Sequence, residues 1–255
     1  MKKGLWKIIF AILFLLPVCA NATTIFQEDF ENAPLNQPYP WNGNNNDNWY
    51  TWAYNRAVPI SNFPEHTRDF LGNNVLYVNA GESYHLFSSQ TLPVKFEYDL
   101  LFHYSEQSPS GYGAIFGQSI IVNMAHPRGG IIGLHIQKGY SHSFTEQDGI
   151  YWAENYDDNW YRISDIIPDT WYHVERTLNP NEQTESIKLT NRDTLQEFNF
   201  TYEVITPINS IEGFSLAASY SPSYSLIDNL IIETIPEPAT FLVLGLGCFL
   251  LKRRS

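Results

Sequence analysis

Val94-Lys95-Phe96-Glu97-Tyr98-Asp99-Leu100-Leu101-Phe102-His103-Tyr104 decides the fold. Every even position is apolar or aromatic, while Lys95, Glu97, Asp99 and His103 take odd ones. Successive side chains of a strand point to opposite faces, so this period of two predicts a strand with one face for a core and one for solvent. Similar runs lie at 130–138, 171–178, 186–191, 197–203, 213–220 and 226–234. Turn chemistry separates them, as in Ser108-Pro109-Ser110-Gly111, Asn179-Pro180-Asn181 and Ser221-Pro222-Ser223. No long stretch repeats with helical periodicity. Many short strands, each with one apolar face and no helices between them, predict a single antiparallel β-sandwich over residues 23–234, an all-β jelly roll.

Both ends read differently. Lys2, Lys3 and Lys7 precede an apolar run from Ile8 to Val18, and Ala20-Asn21-Ala22 supplies a small-x-small site. Residues 1–22 therefore read as a signal peptide that signal peptidase cuts after Ala22. Val18 stands where a lipoprotein signal wants a small residue, so lipidation of Cys19 is not expected. At the other end, Ala239 to Leu251 is thirteen residues without a charge. As a helix this covers about 20 Å, against a hydrocarbon core of about 30 Å. Lys252, Arg253 and Arg254 follow and would stay cytoplasmic. Pro236 and Pro238 fix φ and remove two donors, so Pro236-Glu237-Pro238 is extended and cannot lengthen the helix. A stiff handle beside an undersized apolar segment suits presentation to a processing enzyme better than lasting anchorage.

That tail, residues 235–255, resembles the PEP-CTERM sorting signal: Pro-Glu-Pro, a short apolar stretch and an Arg-rich end, in that order. The resemblance implies handling by an exosortase, a transpeptidase-like membrane enzyme of Gram-negative bacteria that make extracellular polysaccharide. The chain would then be exported, held in the inner membrane transiently by its tail, and released to the cell surface or matrix.

Both cysteines, Cys19 and Cys248, fall in the processed ends, and a domain of this size buries enough apolar surface without disulfides. Removing the ends takes six of fifteen Lys and Arg and one of twenty-seven acids, leaving nine against twenty-six, a net charge of −17. Such a surface repels nucleic acid and anionic lipid; it suits neutral glycans, and polyanions only through bound divalent cations.

Within the domain, Ile25-Phe26-Gln27-Glu28-Asp29-Phe30-Glu31 and Ser225-Leu226-Ile227-Asp228-Asn229-Leu230-Ile231-Ile232-Glu233 resemble the first and last strands of concanavalin A-like and carbohydrate-binding-module jelly rolls. Thr170-Trp171-Tyr172-His173-Val174-Glu175-Arg176-Thr177 is similar to a strand of laminin-G-like domains. In several such carbohydrate-binding modules, acids of the first strand share a structural Ca²⁺ with an Asp of the last. The resemblance carries that role to Glu28, Asp29 or Glu31 with Asp228; alternatively Asp228 and Asn229 bond their own backbone or face solvent.

Aromatic residues supply the candidate sugar contacts. Trp41, Trp49 and Trp52 lie in an Asn/Gly-rich segment, and Tyr151, Trp152, Tyr156, Trp160 and Tyr161 in a second polar one. Trp49, Trp52, Trp152 and Trp160 are the candidates for stacking on pyranose rings, although Trp and Tyr also roof sandwich cores. The tetrapeptide Asp-Asn-Trp-Tyr occurs twice, at 47–50 and 158–161.

A hydrolase needs paired carboxylates. Glu97 and Asp99 share a face with β-carbons about 6.8 Å apart, inside the range glycosidases use. Laminarinase-type enzymes of this fold carry a second Glu shortly after a Glu-x-Asp. Leu100, Leu101 and Phe102 stand there instead, and Glu146-Gln147-Asp148 is likewise followed by Gly149 and Ile150. The seven histidines show no close metal-ligand spacing, and no phosphate loop, Cys-x-x-Cys or nucleophile elbow is present. The expectation is an exported, non-catalytic sandwich that binds polysaccharide. The alternatives are a glycoside hydrolase or polysaccharide lyase, and a purely structural matrix protein.

Overall fold

The period-two runs become strands. The computed structural model describes residues 22–32, 49–51, 56–59, 62, 74–78, 81–105, 114–123, 131–138, 148–154, 160–165, 167–219 and 223–235. The strands are β1 (Thr23–Glu28), β2 (Trp49–Thr51), β3 (Arg56–Pro59), β4 (Asn74–Val78), β5 (Gly81–Gln90), β6 (Val94–His103), β7 (Ala114–Val122) and β8 (Ile131–Lys138). They continue as β9 (Gly149–Glu154), β10 (Trp160–Ser164), β11 (Trp171–Asn179), β12 (Thr184–Asn191), β13 (Glu197–Glu203), β14 (Ile211–Ser219) and β15 (Tyr224–Thr234). Among the described residues there is no α-helix, and none is long and apolar enough to cross a membrane. Of the residues expected at the signal cleavage site and in the sorting tail, Ala20, Pro236, Glu237, Pro238, Lys252, Arg253 and Arg254 lie outside the described residues, whereas Ala22 begins them.

Two antiparallel sheets form the sandwich. One has eight strands in the order β13-β12-β11-β6-β15-β4-β3, with β1 also on β15; the other has seven in the order β10-β9-β8-β7-β14-β5-β2. The even positions of the opening motif, Val94, Phe96, Tyr98, Leu100 and Phe102, are 0–2% exposed. They meet Ile120 and Val122 of β7, Ile132, Leu134 and Ile136 of β8, Ile150 and Trp152 of β9, and Phe214 and Leu216 of β14. Each large apolar side chain so buried contributes about 1.5–3 kcal/mol. His85 belongs to this layer too, its ring 4.5 Å from Phe26 and 5.8 Å from Phe214.

Two local devices hold the arrangement. Asn179 Oδ1 accepts from the backbone N–H of Asn181 and Glu182, closing the β11–β12 turn foreseen at Asn179-Pro180-Asn181. In β15, Asn229 takes φ 53° and the register with β6 slips between Asp228 and Ile231. Asn tolerates this left-handed conformation better than most residues. The resulting bulge leaves Ile227 and Leu230, three apart, both in the core. It also divides one edge of β15, whose first half pairs with β4 and whose second half pairs with β1.

Candidate functional site

Register across the seven-stranded sheet aligns Trp160, Ala153, Gly133, Ser119 and Ser215 on one rung. Arg162, Tyr151, His135, Gly117 and Ala217 form the next. Their chain neighbours Trp152, Leu134, Ile120, Phe214 and Leu216 are core residues, so the pleat turns these ten to the outer face. Six of the ten are Gly, Ala or Ser. The first rung crosses about 19 Å at the usual strand spacing.

At one end of this floor stands a wall of rings. Trp160 packs 4.6 Å from His135 and 5.9 Å from Tyr151 between ring centroids. His135 lies flat over the two glycines: a Cβ on Gly117 would stand 2.8 Å from its Nδ1, and one on Gly133 would overlap the ring. Gly117, Ser119, Gly133, His135, Tyr151, Ala153 and Ser215 are buried, Trp160 and Ala217 are half-buried, and Arg162 is exposed. Arg162, at the edge, donates to the Asp148 carbonyl and pairs with Asp165. It is the one formal charge on these two rungs from β10 to β14.

Beneath that floor a buried network joins the sheets. Arg176 of β11 donates through Nε to Glu185 Oε1 (2.6 Å) and through Nη2 to the Ile132 carbonyl (3.0 Å). Its Nη1 reaches the Gln118 carbonyl (2.8 Å) and side-chain oxygen. Trp152 Nε1 donates to Glu185 Oε2 (2.6 Å), and the Tyr98 hydroxyl donates to Gln118. Arg176 and Glu185 are fully buried. Burial pushes the Tyr98 hydroxyl well above its ordinary range. Burial first, and the Arg176 charge second, push His135 down to about 3, so it is neutral at pH 7.

The structure corrects one sugar-contact expectation. Trp152 is 1% exposed, tied to Glu185 and stacked on Tyr202 at 4.6 Å and 7°, so it is a core residue and cannot face a glycan. It lies one residue out of phase with the outward Tyr151 and Ala153. Trp160 is on the outer face. Trp49 opens β2, at the opposite edge of the same sheet, and Trp52 lies outside the described residues. The two Asp-Asn-Trp-Tyr copies thus begin the two edge strands. Continued through Tyr84, the backbone rung of Trp160 reaches Tyr50 rather than Trp49, so the copies are not equivalent.

The four carboxylates expected for calcium each accept a backbone hydrogen bond. Glu28 accepts from the Phe30 N–H, Asp29 from the Glu31 N–H, and Glu31 from the Asn74 N–H of β4. Asp228 pairs in register with Asp99 and accepts from the Asn229 N–H, which is the alternative weighed for it. No three of these four carboxylates converge. Glu28 of β1 pairs with Leu230 of β15, two residues beyond Asp228, which pairs with Asp99 of β6.

Glu97 and Asp99 do share the outer face of the eight-stranded sheet, without a catalytic arrangement. Asp99 is 1% exposed and accepts from His173, Arg192 and Asn229. Burial raises its carboxyl, but those bonds and the Arg192 charge outweigh that and hold it below its ordinary range. Glu97 pairs with Lys95 at 2.5 Å. The bond from Lys95 holds Glu175 down, its effect exceeding the opposing burial. Lys95 is lowered by burial, yet its bonds to Glu97 and Glu175 leave it raised.

No family model matches the chain, and no curated protein matches it either. Solved structures do. The CBM2 module of the evolved Dit of Lactobacillus casei BL23 phage J-1 superimposes with TM-score 0.53 at 12% identity, over 85% of this chain and 97% of that one. Lectin II from Ulex europaeus gives 0.52 at 8% identity, over 82% and 98%. Winged bean acidic lectin complexed with methyl-α-D-galactose gives 0.51 at 10% identity, over 85% and 100%. The chain shares the β-sandwich fold of these lectins.

Proposed function

We propose that the sandwich is a non-catalytic module that binds polysaccharide on the outer face of its seven-stranded sheet. The protein carrying it is exported through its signal peptide, processed at its PEP-CTERM-like tail by an exosortase-type enzyme, and delivered to the cell surface or matrix. One observation carries the binding reading: the half-buried Trp160 stands at the edge of a strand-crossing row of small, almost uncharged residues, most of them buried. Pyranose rings present apolar C–H faces and hydroxyl edges, which suit an aromatic face beside small residues. The names of the structural neighbours, a carbohydrate-binding module and a lectin bound to a galactoside, agree with this. The −17 domain charge favours neutral glycans over anionic ones.

The test uses residues 23–235, which hold every described strand and the whole core. On a glycan array this fragment is expected to bind, and Trp160→Ala to lose about tenfold or more without loss of β-sheet circular dichroism. Absence of binding, with or without calcium, sinks the reading and leaves the structural-matrix alternative. Polysaccharide turnover that disappears in Glu97→Gln would replace it with the hydrolase. The sorting proposal is tested separately, by mass spectrometry of the mature carboxyl end; an intact Ser255 there rejects it.

A further inference from the structure

A second polar assembly, on the opposite sheet, has no part in the glycan reading. Glu97 of β6 and Glu175 of β11 are direct antiparallel partners, and His173 stands two residues before Glu175, opposite Asp99. One carboxylate oxygen from each Glu and one imidazole nitrogen lie within 4.8 Å of one another. All three residues are half-buried.

The imidazole decides what this cluster does. His173 Nδ1 is 3.0 Å from Asp99 Oδ1, and Nε2 is 3.4 Å from Glu97 Oε1. Asp99 is buried and held in place by Arg192 and Asn229. An ionised carboxylate only accepts, so Nδ1 carries the hydrogen; the Arg192 contact to the same nitrogen is longer, at 3.3 Å. In the neutral ring, Nε2 then presents a lone pair toward carboxylate oxygens. Three electron-rich atoms facing one point are satisfied by a cation. A histidine whose far nitrogen donates to a fixed carboxylate is also the arrangement that orients metal-binding imidazoles.

We infer that Glu97, His173 and Glu175 form a binding site for a divalent transition-metal ion of the Zn²⁺ class. One imidazole nitrogen and two carboxylate oxygens suit Zn²⁺, which takes such donors at about 2.0–2.2 Å and completes four-coordination with water. Ca²⁺ wants six to eight oxygens, so it is disfavoured. The half-buried side chains rotate inward to close the distance. Lys95 and Lys188 are internal competitors: the Lys95 ammonium holds Glu97 Oε2 at 2.5 Å and Glu175 Oε2 at 2.9 Å, and Lys188 lies 3.6 Å from Glu175 Oε1, so the metal shares these carboxylates with them or displaces them. The ligands escape a reading of sequence spacing because they come from two strands. The legible trace is His173-x-Glu175, two same-face positions of one strand.

The test is calorimetric titration of Zn²⁺ into the chelator-treated full-length chain at about pH 7.5. One ion per chain is expected, with Kd tighter than about 100 µM. His173→Asn and Glu97→Gln should each weaken binding about tenfold or more, Lys95→Ala should tighten it, and His103→Asn should leave it unchanged. Co²⁺ in place of Zn²⁺ should give visible absorption that His173→Asn abolishes. Metal-free thermal midpoints, measured in parallel, separate lost binding from lost folding. A wild-type chain with no saturable Zn²⁺ uptake, or a folded His173→Asn variant that binds like wild type, overturns the assignment.

Discussion

The two outer faces of the sandwich come from the same strand pattern and have opposite characters. Outside the seven-stranded sheet, two rungs hold Gly117, Ser119, Gly133, Ala153, Ser215 and Ala217 with a cluster of rings and one edge charge. Outside the eight-stranded sheet, Lys95, Glu97, Glu175, Lys188 and Glu197 form a chain of ion pairs at 2.5–3.6 Å, with Asp99 and Arg192 beside it. The inner faces must fill one core and so resemble each other. The outer faces share no common core: the floor rungs are mostly buried, and the charged side also holds a separate buried cluster of Val75, Leu101, Trp171 and Leu226. In a domain of −17, the floor stays almost uncharged because most of its residues are buried. The charged face should not be mistaken for the source of stability, because exposed pairs are worth about 0–1 kcal/mol each.

The buried pair between the sheets is a different matter, and it gives the largest expected effect. Arg176→Ala strands the Glu185 charge and its Trp152 partner in the core and should cost about 3–5 kcal/mol in urea unfolding. The double variant Arg176→Met/Glu185→Leu should recover much of that loss. Lys95→Ala, on the charged outer face, should cost no more than about 1 kcal/mol. If Arg176→Ala proves as mild as Lys95→Ala, the distinction between inner and outer ion pairs collapses.

Next comes the floor itself. Gly133→Ala drives a methyl group into the His135 ring and should cost about 1–3 kcal/mol. In a His135→Ser background the same substitution should be close to neutral. Equal costs in both backgrounds would mean that the ring does not lie on the glycine floor.

The third test uses pH. His135 falls from its ordinary value near 6.5 to about 3 in the folded chain, because it is buried and the Arg176 guanidinium lies beneath it. Above pH 6.5 both states are neutral there and the residue adds no pH dependence. Between 6.5 and about 3 the unfolded chain takes up a proton that the folded one refuses. Stability should therefore fall as the medium is acidified, by up to about 1.4 kcal/mol per pH unit from this group. His135→Gln should flatten urea-unfolding stability between pH 6.5 and 5. An unchanged slope in that variant rules out a buried neutral His135.

Alternation made the architecture legible: β6 keeps the bounds of its motif to within a residue, and β13 spans residues 197–203 as read. The site was only partly legible, because period two gives the faces of one strand but not the neighbours across a sheet. Trp160 stood out as an aromatic in a polar stretch, yet its rung of small residues needs five strands in register. Trp152 misled because an inward Trp in a polar stretch looks no different from an outward one. Arg176 and Glu185 do leave a trace in the sequence, since Arg176 sits in phase with Val174 and Leu178, and Glu185 with Ile187 and Leu189. The Asn229 bulge next to Asp228 is a slip that no alternation pattern displays.

The smallest expected effect lies in the core behind the charged face. Ser225 of β15 is fully buried, and its hydroxyl makes no hydrogen bond among the described residues. A buried hydroxyl without a partner has lost its water and gained nothing, so removing it relieves a desolvation cost of about 1–3 kcal/mol at most. Part of that relief is offset by the small void left behind, and the balance for Ser225→Ala should run from neutral to about 1 kcal/mol of stabilisation. The contrast with Arg176→Ala is then complete. Two polar groups sit in one core, the networked one costly to remove and the isolated one harmless. A loss of more than about 1 kcal/mol in Ser225→Ala would show that this hydroxyl has a partner after all, and that the core's polar groups act as one network rather than one bridge and a bystander.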